Sequence, residues 1–162
     1  MHISSRFPRH IGYMFWAGVM IGLTWELGFY FTGPEFSNDP VFTHLSPWPL
    51  HPILQPLLHT LWDGGLFMIG VSLVYRFCKP PHFIRFRWQE LGIMLLWGQI
   101  QELAVELIAT SGNLWTYEPK WWNPVLFKFG NGVITLIPQA VWFAAPIVFY
   151  LASIIITSNE RK

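Results

Sequence analysis

Residues Pro52–Tyr75 read PILQPLLHTLWDGGLFMIGVSLVY, and within this run the only formally charged residue is Asp63. A stretch of about 20 mostly apolar residues is long enough to cross a bilayer as a helix. On such a helix His59 and Asp63, four positions apart, fall on one face. The stretch therefore decides two things together. It implies a membrane-spanning helix, and it places two titratable groups where water is scarce.

Three further runs share its character. The four spans expected are Ile11–Thr32, Ile53–Phe77, Trp88–Thr110 and Asn131–Thr157. The whole chain of 162 residues is 52% hydrophobic and 12% charged, with ten tryptophans and fourteen phenylalanines. Ordinary soluble domains carry about 25% charged residues. The fold class expected is thus an all-α integral membrane protein, a single membrane domain over residues 1–162 built as a four-transmembrane-helix bundle. The basic N-terminal stretch could pass for a signal peptide, but the apolar run behind it is too long for one and no cleavage motif follows. It reads as a retained first span.

The basic residues set an orientation. Arg6 and Arg9 precede the first run, Arg76, Lys79, Arg85 and Arg87 lie between the second and third, and Arg161 and Lys162 end the chain. With four spans these eight fall on one side, leaving Lys120 and Lys128 on the other. The positive-inside rule then puts both termini in the cytosol. Cys78, the single cysteine, lies on that reducing side and excludes an intrachain disulfide. The expected location is a multi-pass membrane protein, of the endoplasmic reticulum if eukaryotic and of the inner membrane if bacterial. The two outer loops, GPEFSNDPVFTHLSPWPLHP and SGNLWTYEPKWWNP, are rich in proline and tryptophan. Such residues suit the bilayer interface and the mouth of a bundle.

Four carboxylates fall inside the runs: Glu26, Asp63, Glu102 and Glu106. A charge at the bilayer centre costs about 2.5–3.5 kcal/mol on insertion scales. No Lys or Arg lies mid-run to neutralise them. They must be protonated, bonded to one another or to His59, or exposed to a wet cavity. Their spacing forms stripes. Gln55, His59 and Asp63 follow at i, i+4, i+8, and Gln99, Glu102, Glu106 and Asn113 at i, i+3, i+7, i+14. Trp25 precedes Glu26, and Gln139 and Trp142 lie between Pro138 and Pro146. Inward-facing stripes would line one pocket in the non-cytosolic half. Its expected catalytic residues are Glu26, His59, Asp63, Glu102 and Glu106. The expected substrate-binding residues are Trp25, Gln55, Asn113, Trp115, Gln139 and Trp142.

Plain helix packing is the competing explanation, since interhelical polar bonds average about 0.6 kcal/mol. Packing needs no ionisable groups, so five of them in so small a bundle favour function. Gly18, Gly22 and the Gly64-Gly65 pair read as close-contact points. Glu90 and Arg87 read as ordinary residues at headgroup depth. With one mid-span histidine and no E-x-x-H pair, no metal is expected. His44 and His51 could join the site only by folding back from their loop. No cofactor is expected either. Proton chemistry fits the residues better. A buried neutral carboxyl can protonate an alkene, carboxylates and tryptophan faces can stabilise the cation, and a second group can remove a different proton. The partners expected are a lipophilic small-molecule substrate from the bilayer, membrane lipid and, where two copies pair, a homodimer. Nucleic acid is not among them, for want of a basic patch.

Two resemblances bear on this reading. HTLWDG at His59–Gly64 resembles the H-x-x-x-E-G element of the emopamil-binding-protein branch of the EXPERA superfamily, the sterol double-bond isomerases. PQAVWFAAP at Pro138–Pro146 resembles that branch's N-x-x-W element followed by proline. The layout is also similar to the sigma-2 receptor branch. The resemblance implies that His59 and Asp63 handle the proton, that Glu102 or Glu106 matches the third-helix glutamate, and that Gln139 and Trp142 match the Asn and Trp. Asp stands here for Glu and Gln for Asn. SGNLWTYEP with LIPQAVWFAAPIVFYL is also similar to membrane lycopene cyclases, whose P-x-E-E acid pair is PQAV here. The function expected is a membrane isomerase or terpenoid cyclase acting on a sterol or isoprenoid alkene. The alternatives are a non-catalytic sterol- or amine-binding protein and a structural subunit of a membrane complex.

Overall fold

The computed structural model describes residues 9–46 and 51–160. Arg6, Arg161, Lys162 and two first-loop prolines, Pro47 and Pro49, lie outside them. The four apolar runs form four helices, α1 (Arg9–Phe31), α2 (Leu54–Phe77), α3 (Trp88–Ser111) and α4 (Leu136–Asn159). Each is long and apolar enough to cross a membrane. Short strands join them: β1 (Phe42–His44) between α1 and α2, and β2 (Trp115–Tyr117), β3 (Val125–Phe129) and β4 (Gly132–Thr135) between α3 and α4.

The helix ends follow local chemistry. Pro56 and Pro138 each occupy the first turn of a helix, where a missing N–H has no intrahelical acceptor to disappoint. α3 stops because Asn113 adopts a left-handed backbone, φ 51°, and the Gly112 and Leu114 amides return to the carbonyls of Ile108 and Ala109. Asn113 therefore ends the helix instead of extending its polar stripe. The expected fourth span also starts too early. Residues 132–135 are strand β4, paired antiparallel with β3, and the helix begins at Leu136. Asn123 Oδ1 accepts the Ile137 amide at 2.8 Å there, serving an otherwise orphaned N–H. The bundle is thus helical with two two-stranded sheets added, β1–β2 and β3–β4, and is not purely α.

Contacts at the ends set the helix directions. His10 meets Glu160 at 2.9 Å and the Tyr75 hydroxyl at 3.3 Å, and the Arg87 amide donates to Tyr150 Oη at 2.7 Å. The start of α1, end of α2, start of α3 and end of α4 thus share one end of an up-down-up-down bundle. Around it α1 packs on α2 and α4, and α3 on α4 and α2. The core between them includes Met14, Phe67, Val71, Val74, Met94 and Phe149, with the Phe67 and Phe149 rings stacked at 4.4 Å.

Glycine permits the closest approaches. A Cβ on Gly22 would stand 2.6 Å from Asp63 Oδ2, and one on Gly64 2.6 Å from Val19 Cγ2. Gly98 of α3 backs onto the Trp142 carbonyl, 2.8 Å from where its Cβ would be. Pro146 has no N–H for that carbonyl, so α4 presents it outward to its neighbour. Gly65, by contrast, faces open space and admits no helix.

Glu90 is fully buried rather than lying at the surface. Its carboxylate accepts from Arg87 Nη1 at 3.0 Å, the Phe83 amide at 3.3 Å and the Tyr150 hydroxyl at 3.3 Å. Arg87 also donates to the Lys79 and Pro81 carbonyls. A buried carboxylate needs such partners, and here they tie the α2–α3 turn to α4.

Candidate functional site: an acid-lined chamber

The opposite end of the bundle is hollow. A chamber of about 470 Å³ is bounded by the late turns of α1 and α3 and the early turns of α2 and α4. Glu26, His59, Asp63, Glu102 and Glu106 all line it, as do Trp25, Trp115 and Trp142. The helical stripes are responsible. Glu102 and Glu106 are one turn apart on α3, as His59 and Asp63 are on α2. Among the described residues no Lys or Arg lines the chamber.

Its polar atoms are only partly spent. His59 Nδ1 lies 3.2 Å from Glu26 Oε2. Glu106 Oε1 accepts the Tyr117 hydroxyl at 3.0 Å. The Glu102 and Glu106 carboxyls adjoin each other, and the Trp115 indole stands near Glu106. Asp63 Oδ2 and Gln101 Oε1 are nevertheless buried without a hydrogen-bond partner among the described residues. Buried polar atoms are paired in nearly all native structures, and a ligand with donor groups would satisfy these two. The inner wall is aromatic. The Trp25 and Trp142 rings lie 5.6 Å apart, and Phe67 packs on Trp142 at 5.2 Å.

Three expected ligand-binding residues fall elsewhere. Asn113 sits in the loop beyond α3, exposed and outside the lining. Gln55 is one turn too far out. It lines a second, outer chamber of about 280 Å³, and its amide lies 2.8 Å from His44 Nδ1. Gln139 is absent from the lining, and its backbone carbonyl accepts Gln99 Nε2 of α3 at 3.1 Å.

Other residues arrive through strand pairing. β1 aligns with β2 so that Phe42 faces Tyr117 and His44 faces Trp115. The pairing folds the first loop back over the chamber. It sets Phe42 and Tyr117 in the wall and brings the His44 ring to 6.2 Å from His59. Tyr117, Phe29, Phe42 and Gln101 are not among the residues expected at the site, and His44 reaches it by the fold-back of its loop that the sequence left open. The only sequence signal is the matched triplets FTH and WTY, too short for alternation to be recognised. Burial, then the Glu106 and Glu102 carboxyls, push the Tyr117 hydroxyl well above the usual tyrosine range, so it remains a donor. Burial, then neighbouring His59, lowers His44 to about 4, so it is neutral at ordinary pH.

The two chambers share Glu26, Phe29, Phe42 and His59. The inner one also opens sideways. Leu58 and Trp62 of α2 and Ile108 of α3 belong to its lining yet are exposed on the bundle's flank, Trp62 at 63% and Ile108 at 67%. Compared with known protein families, curated proteins and solved structures, the chain has no match.

Proposed function

We propose that the chain is a multi-pass membrane enzyme, with both termini and the α2–α3 turn in the cytosol, that moves a double bond or closes a ring in a sterol or isoprenoid. The observation that carries this reading is the convergence of four carboxyls, Trp25 and Trp142 on one chamber that no described Lys or Arg lines. A neutral carboxyl gives its proton to one alkene carbon, and the π pair becomes the new C–H bond. The carbocation lies against Trp25 and Trp142 and near ionised carboxylate, both of which attract positive charge. Loss of a proton from a different carbon, to a carboxylate or His59, restores the alkene, and passage of that proton back to the donor carboxylate restores the enzyme. The flank opening lined by Leu58, Trp62 and Ile108 suits a substrate dissolved in the bilayer. The resemblance of HTLWDG and PQAVWFAAP to EXPERA sequence elements is in keeping with the same chemistry, and the cytosolic orientation rests on the positive-inside rule.

The test is reconstitution in heavy water with candidate sterols and isoprenoids. Deuterium is expected in the product, and Asp63→Asn is expected to slow its incorporation by about 10²–10⁴-fold, the usual contribution of a general acid or base. Turnover surviving joint replacement of His59 and Asp63 by apolar residues would overturn the proposal. Among the described residues the lining has carboxyls and no Lys or Arg, which also favours a second reading, a receptor for a lipophilic amine. Tight amine binding with no deuterium exchange into any alkene would favour that reading.

A further inference from the structure

The β3–β4 hairpin is an apolar surface that the proposed chemistry does not use. Every residue of β3 is exposed, and Val125, Leu126, Phe127 and Phe129 lie between 37% and 48%. A hairpin with one face to water alternates polar and apolar residues. β3 does not, and an irregularity between Val125 and Phe127 adds Leu126 to the outward surface. Trp121 at the hairpin's base is 93% exposed.

The surface is held firmly. Ile134 and Thr135 of β4 are buried, the Leu136 amide donates to the Pro124 carbonyl, and Gly130 at the turn rests against Thr110 and Ser111 of α3. Its apolar residues therefore cannot simply collapse inward. β3 is also an edge strand, so one row of its backbone groups is unpaired. Such groups are too costly for the hydrocarbon core but are satisfied among headgroups and water. Lys128 is the only charged residue from Trp121 to Asn159, and it has no ion-pair partner among the described residues. Its ammonium complements a phosphate. The hairpin packs on Thr110 of α3, only two residues along the helix, about 3 Å of rise, from Ile108 on the opening's rim, so the two stand at the same level.

We infer that this hairpin is seated in the phospholipid headgroup layer at the level of that opening, with Leu126, Phe127, Phe129 and Trp121 in the upper acyl region and Lys128 at a lipid phosphate. The inference rests on the membrane reading above. It assigns the opening a fixed depth in the outer leaflet.

The test uses full-length protein in phosphatidylcholine vesicles. Cys78→Ala removes the single native thiol. Single cysteines at Leu126, Phe129 and, as a control, Leu96 in the middle of α3 then carry an environment-sensitive dye. Leu96 is 62% exposed. The Leu126 and Phe129 labels are expected to lose more than half their emission to headgroup-borne nitroxide and little to aqueous iodide. The Leu96 label is expected to respond to nitroxide deep on the acyl chain. Adding Lys128→Gln is expected to raise the access of neutral aqueous acrylamide to the Phe129 label several-fold, and no change would overturn the phosphate contact. Hairpin labels quenched by iodide alone, beside a lipid-quenched Leu96, would overturn the inference and leave the membrane reading standing. A Leu96 label blind to lipid nitroxide would overturn both. Self-quenching of the hairpin labels that disappears on mixing with unlabelled protein would show β3 paired with a second copy, and would likewise overturn it.

Discussion

His44 changes its chemistry on folding. On an open loop it would be an ordinary histidine. Clamped by the β1–β2 pairing between Gln55 and His59, it falls from 6.5 to about 4. Between those values the unfolded chain holds a proton that the folded chain refuses. Stability therefore rises with pH through that window and is lost as pH falls from about 6.5 toward about 4, with no contribution above it. His44→Gln keeps a hydrogen-bonding side chain and cannot titrate. Thermal unfolding in detergent at several pH values is expected to show the native protein losing more of its melting temperature below pH 6.5 than His44→Gln does. Equal losses would mean that His44 is not clamped. The site divides along the same line. Its acids can be read from the sequence, because charge in an apolar helix demands an explanation and helical spacing says which charges share a face. Tyr117 and His44 cannot, because two distant three-residue strands bring them in, and no local period announces that pairing.

Among the helices, glycine decides how closely α1 and α4 approach the chamber walls. Gly22 lets the Asp63 carboxyl lie against α1, and Gly98 lets α3 touch the carbonyl that Pro146 frees. A methyl at either position has nowhere to go without moving backbone or the carboxyl itself. Gly22→Ala and Gly98→Ala are each expected to cost about 1–3 kcal/mol, the range for overpacking a tight contact. Gly65 has the same residue type on the same helix face-pair motif but no neighbour within reach. Gly65→Ala is expected to be neutral or to gain about 0.5–1 kcal/mol from helix propensity. Denaturation midpoints in one detergent would compare the three, and equal effects would contradict the packing described. Sequence could name these glycines as contact points but could not separate Gly64 from Gly65, since one residue is a turn of 100° and only the partner's position tells them apart. The helix boundaries show the same limit. Apolar length located all four helices, yet it could not see that Gly132–Thr135 is extended, because Val133 and Ile134 suit either state.

The two ends of the bundle have opposite designs, and the flank opening follows from that contrast. One end is closed by the Glu90 cluster, which joins the α2–α3 turn to Tyr150 of α4. With that end pinned, the other is free to hold α2 and α3 apart around a cavity, and short strands cover its top without closing its side. If substrate reaches the acids through this side, bulk on the rim should obstruct it without disturbing the fold, because Leu58 and Ile108 are exposed. Leu58→Trp and Ile108→Trp are therefore expected to lower kcat/KM for a bilayer-dissolved substrate several-fold while leaving thermal unfolding in place. Met20, on α1 and absent from the chamber lining, is equally exposed at 60%. Met20→Trp is expected to change neither quantity, which controls for added aromatic bulk in lipid. The comparison is made in vesicles with substrate premixed into the bilayer, so that the route through the flank is the step being read. Loss of turnover in Met20→Trp equal to that in the rim variants, or full activity in both rim variants, would place the substrate's route elsewhere, the outer chamber bounded by Glu26 and His59 being the remaining one.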